Sequence, residues 1–246
     1  IWGGESESVE INVVKTIELI NLLNSEVCQQ IIYFSTASIL DRNNQLLPQA
    51  NQLGTDYIRT KYECYSRLSQ SAIASKITVL FPTLVLGGDR HKPYSHLSAG
   101  LPEVLKWIDL IRWFKADGSF HFIHAQDIAQ IVQYLVAYPP ARRVKETEEN
   151  AISLFVLGNP SLTVNQAIKE ICAYLKKRIY IRIPLSIWLA NFLIQIFRIQ
   201  MDSWSRFSLD YRHFTHRNPV TPATFGLTNY CSTLADVLKM SGINPK

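Results

Sequence analysis

Cysteine is scarce in this chain, and the spacing of its cysteines argues against the two kinds of site that cysteines most often build. The four lie far apart, at Cys28, Cys64, Cys172 and Cys231. No CxxC pair and no histidine at ligand spacing accompanies them, so we expect neither a bound metal nor a disulfide framework. Because structural disulfides are rare in reducing compartments, we expect a cytoplasmic protein.

Long apolar runs are also missing. A membrane-spanning helix needs about 20 apolar residues, whereas the most apolar segment, Leu185–Phe197, is shorter and contains Gln195. We expect a buried helix there and no transmembrane segment, with membrane contact as the lesser alternative. No secretory signal pattern opens the sequence.

Neither sign of charge dominates the chain. It carries 25 Lys and Arg against 20 Asp and Glu, a net charge of +5 that is spread along the sequence. Nothing resembles a nucleic-acid module, so we expect no nucleic-acid partner. Short basic clusters at 142–145 and 176–178 are interpreted as solvated helix ends or loops, and help in holding a diphosphate-bearing ligand is the alternative.

Helices and buried strands alternate through the first part of the chain. Apolar positions from Asn12 to Leu23 recur at three- and four-residue steps, which predicts a helix. The continuous apolar run Ile31–Phe34 and the largely apolar stretch Ile77–Phe81 are typical of buried parallel strands. A polar loop is predicted over 41–54 and a helix over 57–68. This alternation predicts an α/β fold with a parallel sheet covered by helices.

In the later part of the chain, predicted helices and strands alternate less regularly. We predict a long loop over 89–101, a helix over 102–107 and a strand over 120–124, followed by a helix that Asp127 caps. His124 with Asp127 is interpreted as ordering this junction rather than as a catalytic pair. Further predicted elements are strands at 152–157 and 179–183, an apolar helix after Pro184, and helices that begin after Thr163 and Thr233. Trp107, Trp113 and Phe114 have helical spacing, which predicts packing within a lobe rather than a stacking platform.

The stretch YIRTK at 57–61 is the strongest local signal for chemistry. Tyr57 and Lys61 are four residues apart on a predicted helix and therefore share a face. A free tyrosine has a pKa near 10 and is a poor base at neutral pH, but a neighbouring ammonium favours the phenolate and should lower that pKa. A tyrosine so adjusted can exchange a proton with a substrate oxygen while hydride moves to or from a nicotinamide. A helix-surface pair is the alternative.

Two further segments follow predicted strand ends, where residues of parallel sheets face the ligand crevice. Thr36 comes just after the first strand, and its hydroxyl can hydrogen-bond a reacting oxygen. The segment FPTLVLGG at 81–88 follows the second strand, and its backbone can approach a flat ring. The order of hydroxyl, YxxxK helix, strand and Gly-Gly turn favours a functional site over chance matches.

These motifs together resemble the extended short-chain dehydrogenases/reductases, the NAD-dependent epimerase/dehydratase family. The stretch 57–68 is similar to the family's active-site helix, and Thr36 aligns with its catalytic hydroxyl. The segment 81–88 resembles RPxxVYGP, with Phe81 in place of Arg, Leu86 in place of Tyr and Gly88 in place of Pro. Residues 121–129 resemble its strand-and-Asp motif, and Asn12 with Thr16 resembles its NxxGT helix start.

The resemblance implies a cofactor, a substrate and roles for particular residues. The catalytic residues would be Thr36, Tyr57 and Lys61, and the cofactor would be NAD or NADP. Tyr57 and Lys61 would also contact the cofactor, together with Trp2, Gly3, Gly4, Phe81 and Pro82. The substrate, a small molecule such as a nucleotide sugar, would contact Thr36, Gly87 and Arg90. Many relatives are dimers, so a homodimer is also implied.

The family's first three strands and its GxxGxxG turn are not in this sequence. The sequence opens on IWGG rather than Met, which resembles the end of a strand, so we expect a fragment with an incomplete Rossmann-like sheet. The expected domains are residues 1–86, with a return at 120–158, for the dinucleotide-binding part, and 87–119 with 159–246 for a smaller substrate lobe. The fragment alone is expected to lack the adenine-nucleotide half.

Three functions remain open from the sequence. The first is an NAD(P)-dependent epimerase or oxidoreductase acting on a hydroxyl or ketone of a nucleotide sugar. The second is a reductase of a small apolar ketone, which the absence of Arg at position 81 favours. The third is a non-catalytic binding or assembly protein that keeps the fold.

Overall fold

The computed structural model describes residues 5–89, 91–92, 94–140, 152–186, 188, 191, 195 and 200–245. Contacts divide the chain into two units. The first unit combines Ile1–Pro82 with Gln130–Leu157 and His216–Val220, and the second combines Thr83–Ala129 with Gly158–Thr215 and Thr221–Lys246. Each unit is therefore assembled from three separate stretches of sequence.

The described elements follow one another in a mixed α/β order. The strands are β1 (Ile31–Phe34), β2 (Ile77–Pro82), β3 (Leu84–Leu86), β4 (Phe114–Lys115), β5 (Ser119–Phe120), β6 (Phe122–His124), β7 (Ser153–Leu157), β8 (Leu162–Thr163), β9 (Ile183–Pro184) and β10 (His213–Phe214). The helices are α1 (Glu5–Val9), α2 (Thr16–Asn21), α3 (Pro48–Leu53), α4 (Asp56–Leu68), α5 (His96–Lys106), α6 (Ile108–Ile111), α7 (Ala125–Ala137), α8 (Val164–Tyr174), α9 (Ser203–Tyr211) and α10 (Leu234–Met240). A π-helical segment, Glu10–Lys15, joins α1 to α2.

A parallel sheet forms the centre of the first unit. Its order is β1-β2-β7, with Phe34 opposite Leu80 and Leu80 opposite Phe155. The first five residues of the central strand β2 are buried, as expected for a strand covered on both faces. The predicted parallel sheet and the predicted strands over 31–34 and 77–81 are confirmed.

Helix α4 packs against the helical segment that opens the described chain. Asn12 lies in the π-helical segment, and its Nδ2 donates to Thr60 Oγ1 over 3.1 Å in a buried position. Val13 of this segment and Ile20 of α2 are buried, as are Ile58 and Leu68 of α4. A buried hydrogen bond between two packed helices fixes their relative register, because breaking it would leave two desolvated polar groups.

Local sequence fixes where α4 begins. Thr55 is the N-cap, and its Oγ1 accepts a hydrogen bond from Ile58 N, while Asp56 places a carboxylate near the positive end of the helix dipole. Gly54 precedes this cap, where a Cβ atom would lie 2.2 Å from the carbonyl oxygen of Ala50. The chain can therefore pass this closely from α3 to α4 only with glycine at that position.

Within the described residues, the second unit contains three small sheets and an apolar core. Strand β3 pairs with β6 in parallel, β5 lies between β10 and β8, and β4 pairs with β9. Leu86, Phe122, Ala167 and Val237 are buried together in the core. Thr163 and Thr233 each cap a helix through a reciprocal capping box, which confirms the two predicted helix starts.

Several predicted elements differ from the observed ones. The predicted loop over 41–54 contains helix α3, which has Pro48 in its first turn, where the missing N–H costs nothing. The helix predicted to begin at Pro102 begins at His96 instead, because Ser95 Oγ accepts from Ser98 N and caps it there. The strand predicted over 120–124 is two strands, β5 and β6, in different sheets.

The last part of the chain also departs from expectation. Strand pairing near the predicted strand over 179–183 is limited to β9. Most of the predicted apolar helix after Pro184, and the basic cluster at 142–145, lie outside the described residues. Within the described part of the chain, no helix combines the length and the apolar character needed to cross a membrane. None of the four cysteines is in a disulfide.

Candidate active site

Strand β1 and helix α4 bring Tyr57 and Lys61 together in the first unit. Both side chains are half-buried. Lys61 Nζ donates to the carbonyl oxygen of Phe34 over 2.7 Å and lies 6.0 Å from the centre of the Tyr57 ring. The ammonium is therefore held at the carboxyl end of a parallel strand, the edge at which ligands bind in open α/β sheets.

Tyr33 and Cys64 complete this cluster, and sequence reasoning missed both. Lys61 Nζ lies 4.9 Å from the centre of the Tyr33 ring and 3.5 Å from its hydroxyl oxygen. The Tyr33 hydroxyl is hydrogen-bonded to the thiol of Cys64, which is fully buried. The available signal was the spacing of Tyr57, Lys61 and Cys64, which places all three on one face of α4.

The pKa of Tyr57 moves in the opposite direction to the one predicted. Burial raises the pKa of the Tyr57 phenol, because the phenolate is poorly solvated there, and no lowering by the ammonium offsets it. Burial likewise lowers the pKa of Lys61, although the nearby Cys64 opposes this shift. Lys61 is closer to Phe34 and Tyr33 than to Tyr57, so the prediction that it makes Tyr57 more acidic is wrong for this arrangement.

Thr36 lies two residues beyond the Phe34 carbonyl that binds Lys61. It is half-buried and in extended conformation, and it caps a short 3₁₀ helix over Ala37–Ile39. Its Oγ1 accepts from Ser38 N and donates to Ser38 Oγ, each over 3.3 Å. Both hydrogen bonds are long, so the hydroxyl can exchange Ser38 for a substrate oxygen at little cost.

Ser35 was not among the predicted site residues, yet its hydroxyl is the unusual polar atom of this region. The side chain is buried, and within the described part of the chain its Oγ has no hydrogen-bond partner. Leaving a buried hydroxyl unpaired costs about 1–3 kcal/mol. Such a group at the carboxyl end of β1, beside Thr36, is suited to receive a polar ligand atom.

Phe81 and Pro82 end strand β2. The Phe81 side chain is fully buried and meets the Tyr65 ring edge-on, with the ring centres 5.2 Å apart. It therefore lines the core, and only the backbone of this segment and the half-buried Pro82 are available to a cofactor. A contact between the backbone of this segment and the cofactor stays a prediction.

The remaining predicted ligand contacts lie elsewhere or outside the described residues. Gly87 is in the second unit, where its N–H donates to the buried Ser98 Oγ and a Cβ atom would lie 2.7 Å from that of Ala125. Close packing thus explains the glycine, and its contact with a substrate stays a prediction. The predicted contacts through Trp2, Gly3, Gly4 and Arg90 fall on residues outside the described ranges.

Asp127 has a structural role, as predicted, but it does not cap α7, which begins at Ala125. Its carboxylate is buried and accepts hydrogen bonds from Tyr230 N over 2.6 Å and Cys231 N over 3.1 Å. His124 Nδ1 accepts from Gln126 N, and burial lowers the pKa of His124. Asp127 therefore holds the loop before α10 in place within the second unit.

Comparison with known proteins gives a result at the level of fold. No protein-family model and no curated protein matches the sequence. Among solved structures, the chain is similar to the Bordetella bronchiseptica enzyme WbmG in complex with NAD and UDP, with a TM-score of 0.58 and 13% identity over 98% of this chain and 70% of that one. It is also similar to dTDP-glucose 4,6-dehydratase from Bacillus anthracis, with a TM-score of 0.54 and 11% identity over 94% and 67%.

A third similar structure is UDP-glucose 4-epimerase from Thermotoga maritima, with a TM-score of 0.52 and 16% identity over 97% of this chain and 70% of that one. The chain has the Rossmann-like fold of these epimerases and dehydratases. The predicted fold class and the predicted resemblance are thereby confirmed. Because the sequence identities are low, the comparison shows the fold and nothing further. The chain spans about seven tenths of the length of these structures.

Proposed function

We propose that this chain carries the catalytic residues of an NAD(P)-dependent epimerase or oxidoreductase that acts on a hydroxyl or ketone of a nucleotide sugar. The observation that supports this most directly is the position of Lys61, which joins the Tyr57 helix to the carboxyl end of β1. The similar folds bind NAD, UDP and UDP-glucose, which supports the cofactor and the substrate class.

The residues at this edge of the sheet fit a nicotinamide nucleotide. The half-buried Lys61 ammonium can donate to ribose hydroxyls as well as to Phe34, since an ammonium has three donors. Ser35 offers a buried hydroxyl that lacks a partner within the described residues. When bound, the nicotinamide supplies hydride transfer, and the protein supplies orientation and proton exchange.

Tyr57 would serve as the acid/base of this reaction. Its raised pKa keeps the phenol protonated at neutral pH, which suits donation of a proton to a ketone oxygen during reduction. In the opposite direction, the phenolate would remove the proton from a hydroxyl. Thr36 would hold the same oxygen through its hydroxyl, whose two hydrogen bonds to Ser38 are long.

A substrate panel tests the proposal against its rivals. The full-length protein, purified with NAD or NADP, is incubated with UDP- and dTDP-hexoses and separately with small apolar ketones, and reduced nicotinamide and sugar products are measured. We expect turnover of a nucleotide sugar, with loss in a Thr36→Val variant. Turnover of apolar ketones alone would favour the second function, and cofactor binding without any turnover would favour a non-catalytic protein.

The pH dependence of activity should report the Tyr57 phenol. Because burial raises the pKa of Tyr57, oxidation of a hydroxyl, which needs the phenolate, should increase with pH well into the alkaline range. Because Lys61 does not offset this rise in the pKa, a Lys61→Met variant should keep the pH profile in place and should instead raise the KM for the cofactor, whose ribose hydroxyls Lys61 would bind. Initial rates of oxidation across pH and cofactor concentration measure both quantities. A Lys15→Met variant, which changes an exposed lysine of the same unit, is the control, and an unchanged KM for the cofactor in Lys61→Met would contradict the assigned role.

A further inference from the structure

An exposed apolar stripe runs along α5, α6 and the residues that follow them in the second unit. Leu97 and Val104 are two helical turns apart on α5, and both are exposed. Trp107, Leu110 and Trp113 continue the stripe at three-residue steps, and Trp107 has 61% of its surface exposed. The prediction that Trp107 packs within a lobe is therefore wrong, since most of this large ring faces solvent.

The segment before β9 extends this stripe beyond Trp113. Ile183 N donates to the Trp113 carbonyl over 2.7 Å, so this segment lies beside the end of the stripe. The rings of Trp113 and Tyr180 stack with their centres 5.9 Å apart. Tyr180 and Ile183 are exposed, and Ile181 has 83% of its surface exposed. We call the surface formed by 97–113 and 180–183 the aromatic surface.

The chain beside the aromatic surface carries charge of one sign. Between Lys176 and Arg182 the chain has no acidic residue and four basic ones, at Lys176, Lys177, Arg178 and Arg182. Within the described residues, the acidic contact of this run is with Asp109 of α6, which binds Lys177 over 2.7 Å and Arg112 over 3.1 Å. The exposed Lys176 and Arg178 have no acidic partner among the described residues, whereas Arg182 donates to the Phe114 carbonyl.

We propose that the aromatic surface docks this protein on an anionic phospholipid bilayer. Exposed tryptophan, tyrosine and isoleucine beside a run of lysine and arginine is the pattern of proteins that lie in the membrane interface, with rings at the headgroup level and cations on lipid phosphates. Two copies of this chain docked through the same surface would oppose their own basic runs, so charge complementarity favours lipid over a second copy.

Vesicle sedimentation tests the proposal directly. The purified chain is mixed with vesicles of phosphatidylcholine or of equimolar phosphatidylcholine and phosphatidylglycerol, at low and high salt. We expect binding to the anionic vesicles that weakens with salt, and little binding to the neutral ones. Brominated lipids should quench tryptophan fluorescence, and the quenching should decrease in a Trp107→Ser variant.

Surface variants separate the apolar and the charged contributions. Trp107→Ser with Ile181→Ser should lower the partition coefficient by about tenfold or more, because both exposed side chains lose their burial in lipid. Lys176→Gln with Arg178→Gln should lower it by roughly 25-fold, at about fivefold per cation. The matched controls are Leu22→Ser, at an exposed leucine of the first unit, and Lys15→Gln with Lys239→Gln, which removes equal charge elsewhere.

Three outcomes would overturn the proposal. The first is equal binding to neutral and anionic vesicles, or none to either. The second is equal loss in the control variants, which would indicate a general charge or solubility effect. The third is a dimer in analytical ultracentrifugation that Trp107→Ser with Ile181→Ser dissociates, which would assign the aromatic surface to a second copy. Because these readouts do not use catalysis, they stand apart from the proposed enzymatic function.

Discussion

A Tyr57→Phe variant is expected to lose about a thousandfold in kcat while its thermal unfolding is unchanged. The substitution removes one hydroxyl from a half-buried ring and keeps the ring itself, so the packing of α4 is preserved. What disappears is the proposed acid/base, the hydroxyl that would exchange a proton with the substrate oxygen. Steady-state kinetics with the nucleotide sugar found in the panel measure the loss, and circular dichroism reports the fold.

Tyr65→Phe and Tyr33→Phe provide matched comparisons for this variant. Tyr65 is on the same helix and burial also raises its pKa, but its ring contacts Phe81 in the core, so its variant should retain full activity. The Tyr33 hydroxyl lies near Lys61 and Cys64, and burial raises its pKa far above the ordinary value. We expect a smaller loss for Tyr33→Phe. If Tyr33→Phe abolished turnover and Tyr57→Phe did not, the acid/base would have been assigned to the wrong tyrosine.

An Asp127→Ala variant is expected to destabilise the protein by about 3 kcal/mol, which corresponds to a fall in Tm of roughly 10 °C. The carboxylate is 1% exposed and accepts two backbone N–H groups, those of Tyr230 and Cys231. Alanine would leave both donors buried without an acceptor. Thermal denaturation followed by circular dichroism measures the change, and Asp127→Asn, which keeps one acceptor, should lose about half as much.

Asp117→Ala is the control for this second variant. Asp117 is a mostly exposed carboxylate of the same unit that pairs with Arg212, and such surface pairs contribute between about 0 and 1 kcal/mol. If Asp117→Ala lowers the Tm only slightly and Asp127→Ala lowers it strongly, the loss of stability comes from the buried position of Asp127 rather than from removal of a charge. If Asp127→Ala kept its stability and lost its activity instead, Asp127 would belong to the chemistry.

The elements that sequence reasoning placed well are those whose signal is local. Strand β1 is a continuous apolar run. The first turns of α8 and α10 are capped by threonines whose hydrogen-bond partners are three residues away. Tyr57 and Lys61 could be paired because helical spacing alone puts them on one face. In each case the decisive contacts lie within a few residues in sequence.

The features that were missed depend on partners far away in sequence. Nothing near Lys61 indicates that its ammonium binds the Phe34 carbonyl, 27 residues earlier, or that Tyr33 packs beneath it. The direction of the Tyr57 pKa depends on a balance between burial and charge, and burial is a property of the whole unit. Likewise, the split between β5 and β6 depends on which strands they meet, not on their own residues.

The contact between Gly54 and Ala50 has a consequence for any attempt to alter this protein. Thr55, directly after that glycine, sets the first turn of the helix that carries both candidate catalytic side chains. A methyl group at position 54 would have to push the preceding turn outward, and that displacement would pass to Tyr57 three residues later. Mutagenesis libraries aimed at new substrates should therefore keep glycine at position 54, although no ligand is expected to touch it.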